Sequence, residues 1–372
     1  MRLEDVCKVF TDGDWIESKD QSEEGIRLVQ TGNIGEGKYL EKADRAKYIS
    51  EETFENLKCT EIFSGDILVS RLPEPVGRAC IVPAKQERMI TAVDCTICRP
   101  DEDVITKEYL CYFMQSDAYY TRLMNSITGT TRKRISRKNL GDVEIDIPTK
   151  DVQLEVVDKL DLLSAVIEKR KEELEKLDEL IKARFVELFG TVDNNVFDYP
   201  VVRLGDYAKL QGGYAFKSKD FVDEGIPLVQ IGNVNKDYLD WEVINAVPQK
   251  YLDRYKEFSL NDGDLVMAMT RPIIKSLNSV KIAKVSKSDV PCLLNQRVGR
   301  FVLSDSFDKL FLETLCKSDD FKDYVERMSG NSLQPNISSK QVEDYMIILP
   351  PIDLQERFAE FVKQVDKSKV VA

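Results

Sequence analysis

Apolar and polar positions follow two different periods along this chain. Between residues 151 and about 189 there is no Gly or Pro, and Glu, Lys, Leu and Ile dominate, all good helix formers. Apolar residues recur there as Val156, Leu160, Leu163, Ile167, Leu174, Leu177, Ile181 and Leu188. The steps alternate between three and four, a heptad seam broken only by Arg170 and Arg184. Asp151 is placed to cap the start and Gly190 to end the helix. At 1.5 Å per residue it would be roughly 57 Å long. So narrow a seam on so long a helix needs a partner helix. One is expected from near Asp353, carrying the seam on as Phe358, Val362 and Val365 before the chain stops at Ala372. It would be about half as long. An antiparallel pair is expected over the first few turns of each helix, leaving the far end of the central helix as a docking stripe for another subunit.

On either side of this helix the pattern shortens to strand-like runs, and those runs repeat. EGIRLVQTGNI at 24–34 returns as EGIPLVQIGNV at 224–234. SGDILVSR at 64–71 is echoed by DGDLVMAMTR at 262–271, each entered through a Gly-Asp turn and ending in Arg. GRACIV at 77–82 has its counterpart in VKIAKV at 280–285. ITGTTRKRISRKNLGDVEIDIP at 127–148 parallels MSGNSLQPNISSKQVEDYMIILP at 328–350. Both of these close on a strand running into proline and then a Gln-bearing helix start, DVQLEVVDKLDLL and DLQERFAEFVKQVD. Four collinear blocks at a nearly constant offset are a duplication, and a period near 200 is too long for a solenoid or a propeller blade. The chain therefore reads as two homologous domains, 1–150 and 191–350, with a central helix at 151–190 and a short distal helix at 351–372.

Composition narrows the function. Hydrophobic residues make up 42% of the 372 positions and charged residues 32%, enough apolar content for real cores. No apolar run approaches the roughly 20 residues of a membrane span, and the N-terminus has no secretory pattern. Eight cysteines in that context are expected as reduced thiols in a cytoplasmic protein. There is no histidine, which removes the commonest general base and metal ligand. The net charge of −12 means that nucleic-acid binding would need basic residues gathered on one face, or partners that supply the field.

Short motifs are less decisive. GNIGEGKY at 32–39 approaches a phosphate-binding loop, but Tyr39 replaces the magnesium-binding hydroxyl and the repeat copy lacks the second Gly and the Lys. Cys95 and Cys98 have metal-ligand spacing without a second pair or a histidine, so they are expected as buried structural thiols. The densest basic run is Arg132, Lys133, Arg134, Arg137 and Lys138, after Gly129, Thr130 and Thr131. The matching loop of the second half carries Asn331, Ser332, Gln334 and Asn336, polar but uncharged. Arginine suits guanine edges, lysine neutralises phosphate, and Asn and Gln suit adenine. Two homologous loops with different hydrogen-bonding chemistry are what a reader of two different half-sites needs. Each is equally readable as a plain solvated loop. Arg71 and Arg78, with Arg271, Lys275 and Lys281, follow equivalent strands and are second-rank DNA candidates. Asn33 and Asn233 either read bases or close Asx-type turns.

The repeated G-I-x-L-V-Q-x-G-N, the Gly-Asp strand entry and the step from proline into a Gln-bearing heptad helix resemble the specificity subunits of type I restriction–modification enzymes. The resemblance covers essentially the whole chain, twice, in order. It implies an α+β fold of two strand-rich target-recognition domains in pseudo-twofold arrangement, joined by a long antiparallel coiled-coil-type helix. It also implies a non-catalytic subunit that binds a bipartite, asymmetric site on double-stranded DNA. The helices would act as a spacer ruler and dock two modification (methyltransferase) subunits, with restriction or translocase subunits as further partners. Half-sites one duplex turn apart are separated by roughly 34–36 Å, within reach of the central helix. No cofactor is expected in this chain, whereas the complex would use S-adenosylmethionine, and ATP with Mg for restriction. A stand-alone DNA methyltransferase is disfavoured because the sequence has neither an [ND]-P-P-[YF] tetrapeptide nor an F-x-G-x-G loop. A coiled-coil adaptor that binds protein alone would satisfy the seam but not the two loops.

Overall fold

The computed structural model describes residues 1–129, 132–330 and 332–371 and divides into two compact units, Met1–Glu168 and Lys169–Ala372. The first unit holds two four-stranded sheets. In one, strands Cys7–Asp12, Cys95–Pro100, Ile67–Ser70 and Ala79–Ile81 lie side by side in that order, all antiparallel. The other runs Tyr48–Ile49, Ile26–Val29, Met89–Thr91 and Glu61–Ile62, with a parallel inner pair that sets Leu28 opposite Ile90. Ile26–Val29 and Ile67–Ser70 are buried at every position, which is why they appear in sequence as continuous rather than alternating apolar runs. The Gly-Asp entry has a local cause. Gly65 sits at φ +90, where a side chain is disfavoured, and the Asp66 carboxylate accepts the Phe63 N–H at 2.8 Å. Three short helices follow, Lys107–Phe113, Asp117–Met124 and Arg137–Gly141, each N-capped by a hydroxyl, from Thr106, Ser116 and Ser136.

The second unit repeats both four-stranded sheets and adds two short strand pairs, Ile273–Ile274 with Ser279–Val280 and Val201–Arg203 with Met346–Ile348. Ala208–Gly212, Val298–Leu303, Leu265–Ala268 and Ile282–Lys284 form one sheet; Ala246–Val247, Ile226–Val229, Cys292–Leu294 and Ser259–Leu260 form the other. The parallel pair recurs, with Leu228 opposite Leu293. The helices Lys309–Cys316, Asp319–Ser329 and Ser339–Glu343 are capped by Asp308, Ser318 and Ser338.

The central helix runs from Lys150 to Phe189, 40 residues, and Gly190 follows at φ +72 as the expected terminator. It starts one residue early, so Asp151 lies in its first turn instead of capping it. The distal helix, Ile352–Val371, has 20 residues, half that length. The two glutamines at the helix starts are fully buried and make the same three bonds. Gln153 accepts the Thr106 N–H at 2.9 Å and donates to the carbonyls of Val104 and Pro148, both at 3.0 Å. Gln355 accepts the Asp308 N–H at 2.9 Å and donates to the carbonyls of Ser306 and Pro350 at 3.5 and 2.8 Å. Each helix is thereby stapled to the domain that precedes it.

Helix pairing corrects one expectation. The distal helix packs on the last turns of the central helix, not on its first ones. Phe358 lies 5.4 Å from Phe185 and 5.5 Å from Phe189 between ring centroids, while Lys369 reaches back to Asp178 at 2.7 Å. The numbers run in opposite senses, so this pair is antiparallel. Ile181, Val362 and Val365 are buried in the same core, with Leu177 and Leu188 half-buried against it. The cause is the side chains, because three phenylalanines offer more apolar area than the aliphatic seam. At the other end Leu160 is half-buried, while Leu163 is 57% and Ile167 53% exposed and Leu174 is also exposed. Among the described residues no helix is long and apolar enough to cross a membrane.

Candidate nucleic-acid interface

In both units the strand after the Gly-Asp turn ends where a loop from the last short helices returns to it. Ile135 N–H donates to Arg71 O at 3.2 Å, and Ile337 N–H donates to Met269 O at 2.9 Å. The next residue in each case, Ser136 or Ser338, caps a short helix. Arg132, Lys133 and Arg134 therefore occupy the backbone places of Gln334, Pro335 and Asn336. Thr130, Thr131 and Asn331 lie outside the described residues.

Arg132, Arg134, Arg137 and Lys138 are exposed and have no side-chain partner among the described residues, and Lys133 pairs with Glu74 at 2.5 Å. In a chain of net charge −12, this is a local concentration of positive charge within seven residues. The patch can neutralise phosphate or grip guanine edges.

Other candidates serve the fold. Asn33 is buried; its Oδ1 accepts the Gln30 N–H at 3.0 Å and its Nδ2 donates to Leu40 O at 2.9 Å and Glu41 O at 3.3 Å. Asn233 is equally buried and does the same with Gln230, Asp240 and Val243. Both are turn staples, so neither is free to meet a base. Arg78 is 9% exposed and donates to the carbonyls of Ile34, Thr31, Pro73 and Pro75 at 2.6–3.1 Å. Burial lowers its pKa, and its guanidinium ties two loops together. Arg71 is likewise committed, to Val93 O at 2.6 Å, Ile135 O at 3.4 Å and Asp12 at 3.3 Å. The loop that resembled a phosphate cradle is tied to other elements, with Gly37 N–H on Ala79 O and Lys38 paired with Glu168 at 2.7 Å. Cys95 and Cys98 are fully buried, and no metal-binding group of His, Cys, Asp or Glu occurs among the described residues.

The family model for the type I restriction modification DNA specificity domain matches residues 1–177 and 198–370. This chain belongs to that family. It is 29% identical over 271 residues to the type I restriction enzyme MjaVIII specificity subunit of Methanocaldococcus jannaschii, covering 69% of this chain and 63% of that one. It is 31% identical over 178 residues to the EcoAI specificity subunit of Escherichia coli, covering 45% of this chain and 29% of the relative. The chain thus spans less than two thirds of either relative's length. A putative MjaX specificity subunit of M. jannaschii aligns at 22% over 98% of this chain and 85% of its own. A chain from a solved structure on complex assembly and conformational transition of the type I R-M system matches at TM-score 0.53 and 18% identity, covering 100% of this chain and 90% of that chain. That match supports the fold.

The second loop of this specificity-family chain differs from the sequence expectation. Asn336 is exposed, yet its Oδ1 already accepts from Thr270 Oγ1 at 2.5 Å and Arg297 Nη1 at 3.0 Å, and its Nδ2 donates to Gln334 O at 2.7 Å. A bidentate grip on adenine needs both atoms, so Asn336 is a brace. Gln334 remains exposed beside it. Nor is the loop uncharged in space. Arg297 reaches it through Asn336, and Arg271, exposed, donates its backbone N–H to Pro335 O at 2.8 Å. Lys275 is exposed on the turn between Ile273–Ile274 and Ser279–Val280. Lys281 is half-buried, and burial, with Arg271 beside it, lowers its pKa. Arg297 was missed because nothing within ten residues of it resembles a basic loop; only the fold carries it there.

Proposed function

We propose that this chain is the DNA sequence-recognition subunit of a type I restriction–modification complex, binding a bipartite, asymmetric site with one repeat on each half. One observation carries the reading. Two copies of one fold present, at the same backbone position, Arg132 and Arg134 in the first and Gln334 and a braced Asn336 in the second. A shared frame with different donors and acceptors is the physical requirement for reading two different sequences. The subunit is non-catalytic in this reading and takes no cofactor itself; S-adenosylmethionine, and ATP with Mg for restriction, belong to its cytoplasmic partners. The exposed stripe of Leu163, Ile167 and Leu174 docks the two modification subunits, and restriction or translocase subunits join through them. Partner subunits would also supply part of the positive field that a chain of charge −12 lacks.

The test is to co-express the chain with its modification subunits and map methylated adenines in host DNA by single-molecule sequencing. A bipartite motif with a fixed gap, altered in one half when residues 1–150 are exchanged, is the expected result. A single uninterrupted motif, or a motif indifferent to that exchange, would overturn it.

A further inference from the structure

A second pair of matched positions flanks the two loops. Met269 N–H donates to Arg297 O at 2.8 Å, and Arg71 N–H donates to Asp94 O at 2.9 Å. Each acceptor lies in the two-residue turn that opens the last strand of its sheet, just before the strand pairs Ala268↔Val298 and Ser70↔Cys95. Arg297 and Asp94 therefore stand at one backbone site with opposite charges. From the proposed role in DNA reading, we infer that this site is a specificity-determining position, with Arg297 reading guanine in one half-site and Asp94 an exocyclic amino group in the other.

Three observations carry this. Arg297 is exposed and is held by one nitrogen only, Nη1, which bonds Asn336 Oδ1 at 3.0 Å and Thr270 Oγ1 at 3.2 Å. That grip orients the planar fork and leaves Nη2 and Nε without a partner among the described residues, the geometry a bidentate contact to guanine O6 and N7 uses. Secondly, Arg297 sits at φ +66 and Arg271 at φ +49, in the left-handed region that favours glycine, and both border the same loop. Strained backbone retained under two arginines marks a site where their placement matters. Thirdly, Asp94 is partly exposed and has no side-chain partner among the described residues, so its carboxylate is free to accept from cytosine N4 or adenine N6. The loop that carries Arg132 and Arg134 bonds the same Arg71 backbone, through Ile135 N–H, that donates to Asp94 O.

The experiment uses the complex of the full chain with its modification subunits and reads the methylated motif by single-molecule sequencing. Arg297→Gly keeps the left-handed backbone without strain, so its fold is expected to be intact, and a melting curve checks this. The expected result is one guanine of a single half-site becoming degenerate, with discrimination there falling on the order of 10- to 100-fold and the other half-site unchanged. Arg297→Lys should relax the same base pair only in part. Asp94→Asn should alter one base pair in the opposite half-site. A uniform drop in methylation at an unchanged motif would make Arg297 a phosphate or structural contact and overturn the inference, as would an unchanged motif at full rate. If the wild-type complex itself gives no bipartite motif, the recognition role fails first; if it does and the variants keep that motif, only this inference fails.

Discussion

Gln153 and Gln355 make the same three bonds in the two repeats, and Asn33 and Asn233 close the same loop. Asp94 and Arg297, equally matched in backbone position, carry opposite charge, and Arg132 in the first repeat takes the place that Gln334 has in the second. The paired glutamines and asparagines satisfy buried main-chain groups, and changing one strands a donor or acceptor at a cost of about 1–3 kcal/mol. Polar residues that end in solvent differ, because water satisfies whatever replaces them. A duplicated domain can thus diverge in what it reads without losing what it is.

That contrast can be broken by mutation, the largest effect first. Phe358→Ala removes a fully buried ring from between the two helices and should cost about 4 kcal/mol in urea unfolding of the second unit. Leu163→Ala, on the exposed part of the same seam, should change chain stability by less than about 0.5 kcal/mol. Equal losses would mean that the exposed stripe is packed in solution. Gln153→Ala and Gln355→Ala should each cost about 2–3 kcal/mol and agree with one another, since both strand the same buried groups. A clear inequality between them would show that the shared frame is not energetically shared. Replacing Arg132, Arg134 and Arg137 by Gln should leave melting unchanged and flatten the salt dependence of DNA binding, by roughly 0.9 in log–log slope per lost phosphate contact. An unaltered slope would remove these residues from the interface.

The smallest effect at neutral pH concerns the thiols. Burial pushes Cys80 and Cys95 in the first unit and Cys292 in the second up to about 12 from an ordinary 9.0. A raised folded value means that the proton is held more tightly in the native state. The stability it contributes is complete below pH 9 and is lost as pH climbs toward 12. Alkylation at pH 8 should therefore reach the half-buried Cys7 before any of these three, read by mass spectrometry.

How far the sequence was legible follows the same division. The duplication, the strand runs such as Ile67–Ser70, the long helix and its end at Gly190 were all readable, because each rests on neighbours in the chain. Arg78 looked like surface chemistry and Asn33 was readable either as a base contact or as a turn, and both proved to be buried staples, since nothing local says which distant carbonyl a polar side chain will meet. Arg297 was passed over for the converse reason: it lies outside any basic run in sequence and is part of a loop cluster in space.

By itself, then, the sequence determined the repeat, the secondary structure and the family resemblance, which are properties of local propensity and periodicity. The tertiary structure alone decided which of the polar residues are free, which end of the central helix is covered by Phe358, and that Asp94 and Arg297 hold equivalent positions in the two repeats. Those are properties of contact between segments far apart in the chain. Hydrogen-bond satisfaction and apolar burial are settled by what surrounds a side chain after folding, and a linear pattern does not contain that information.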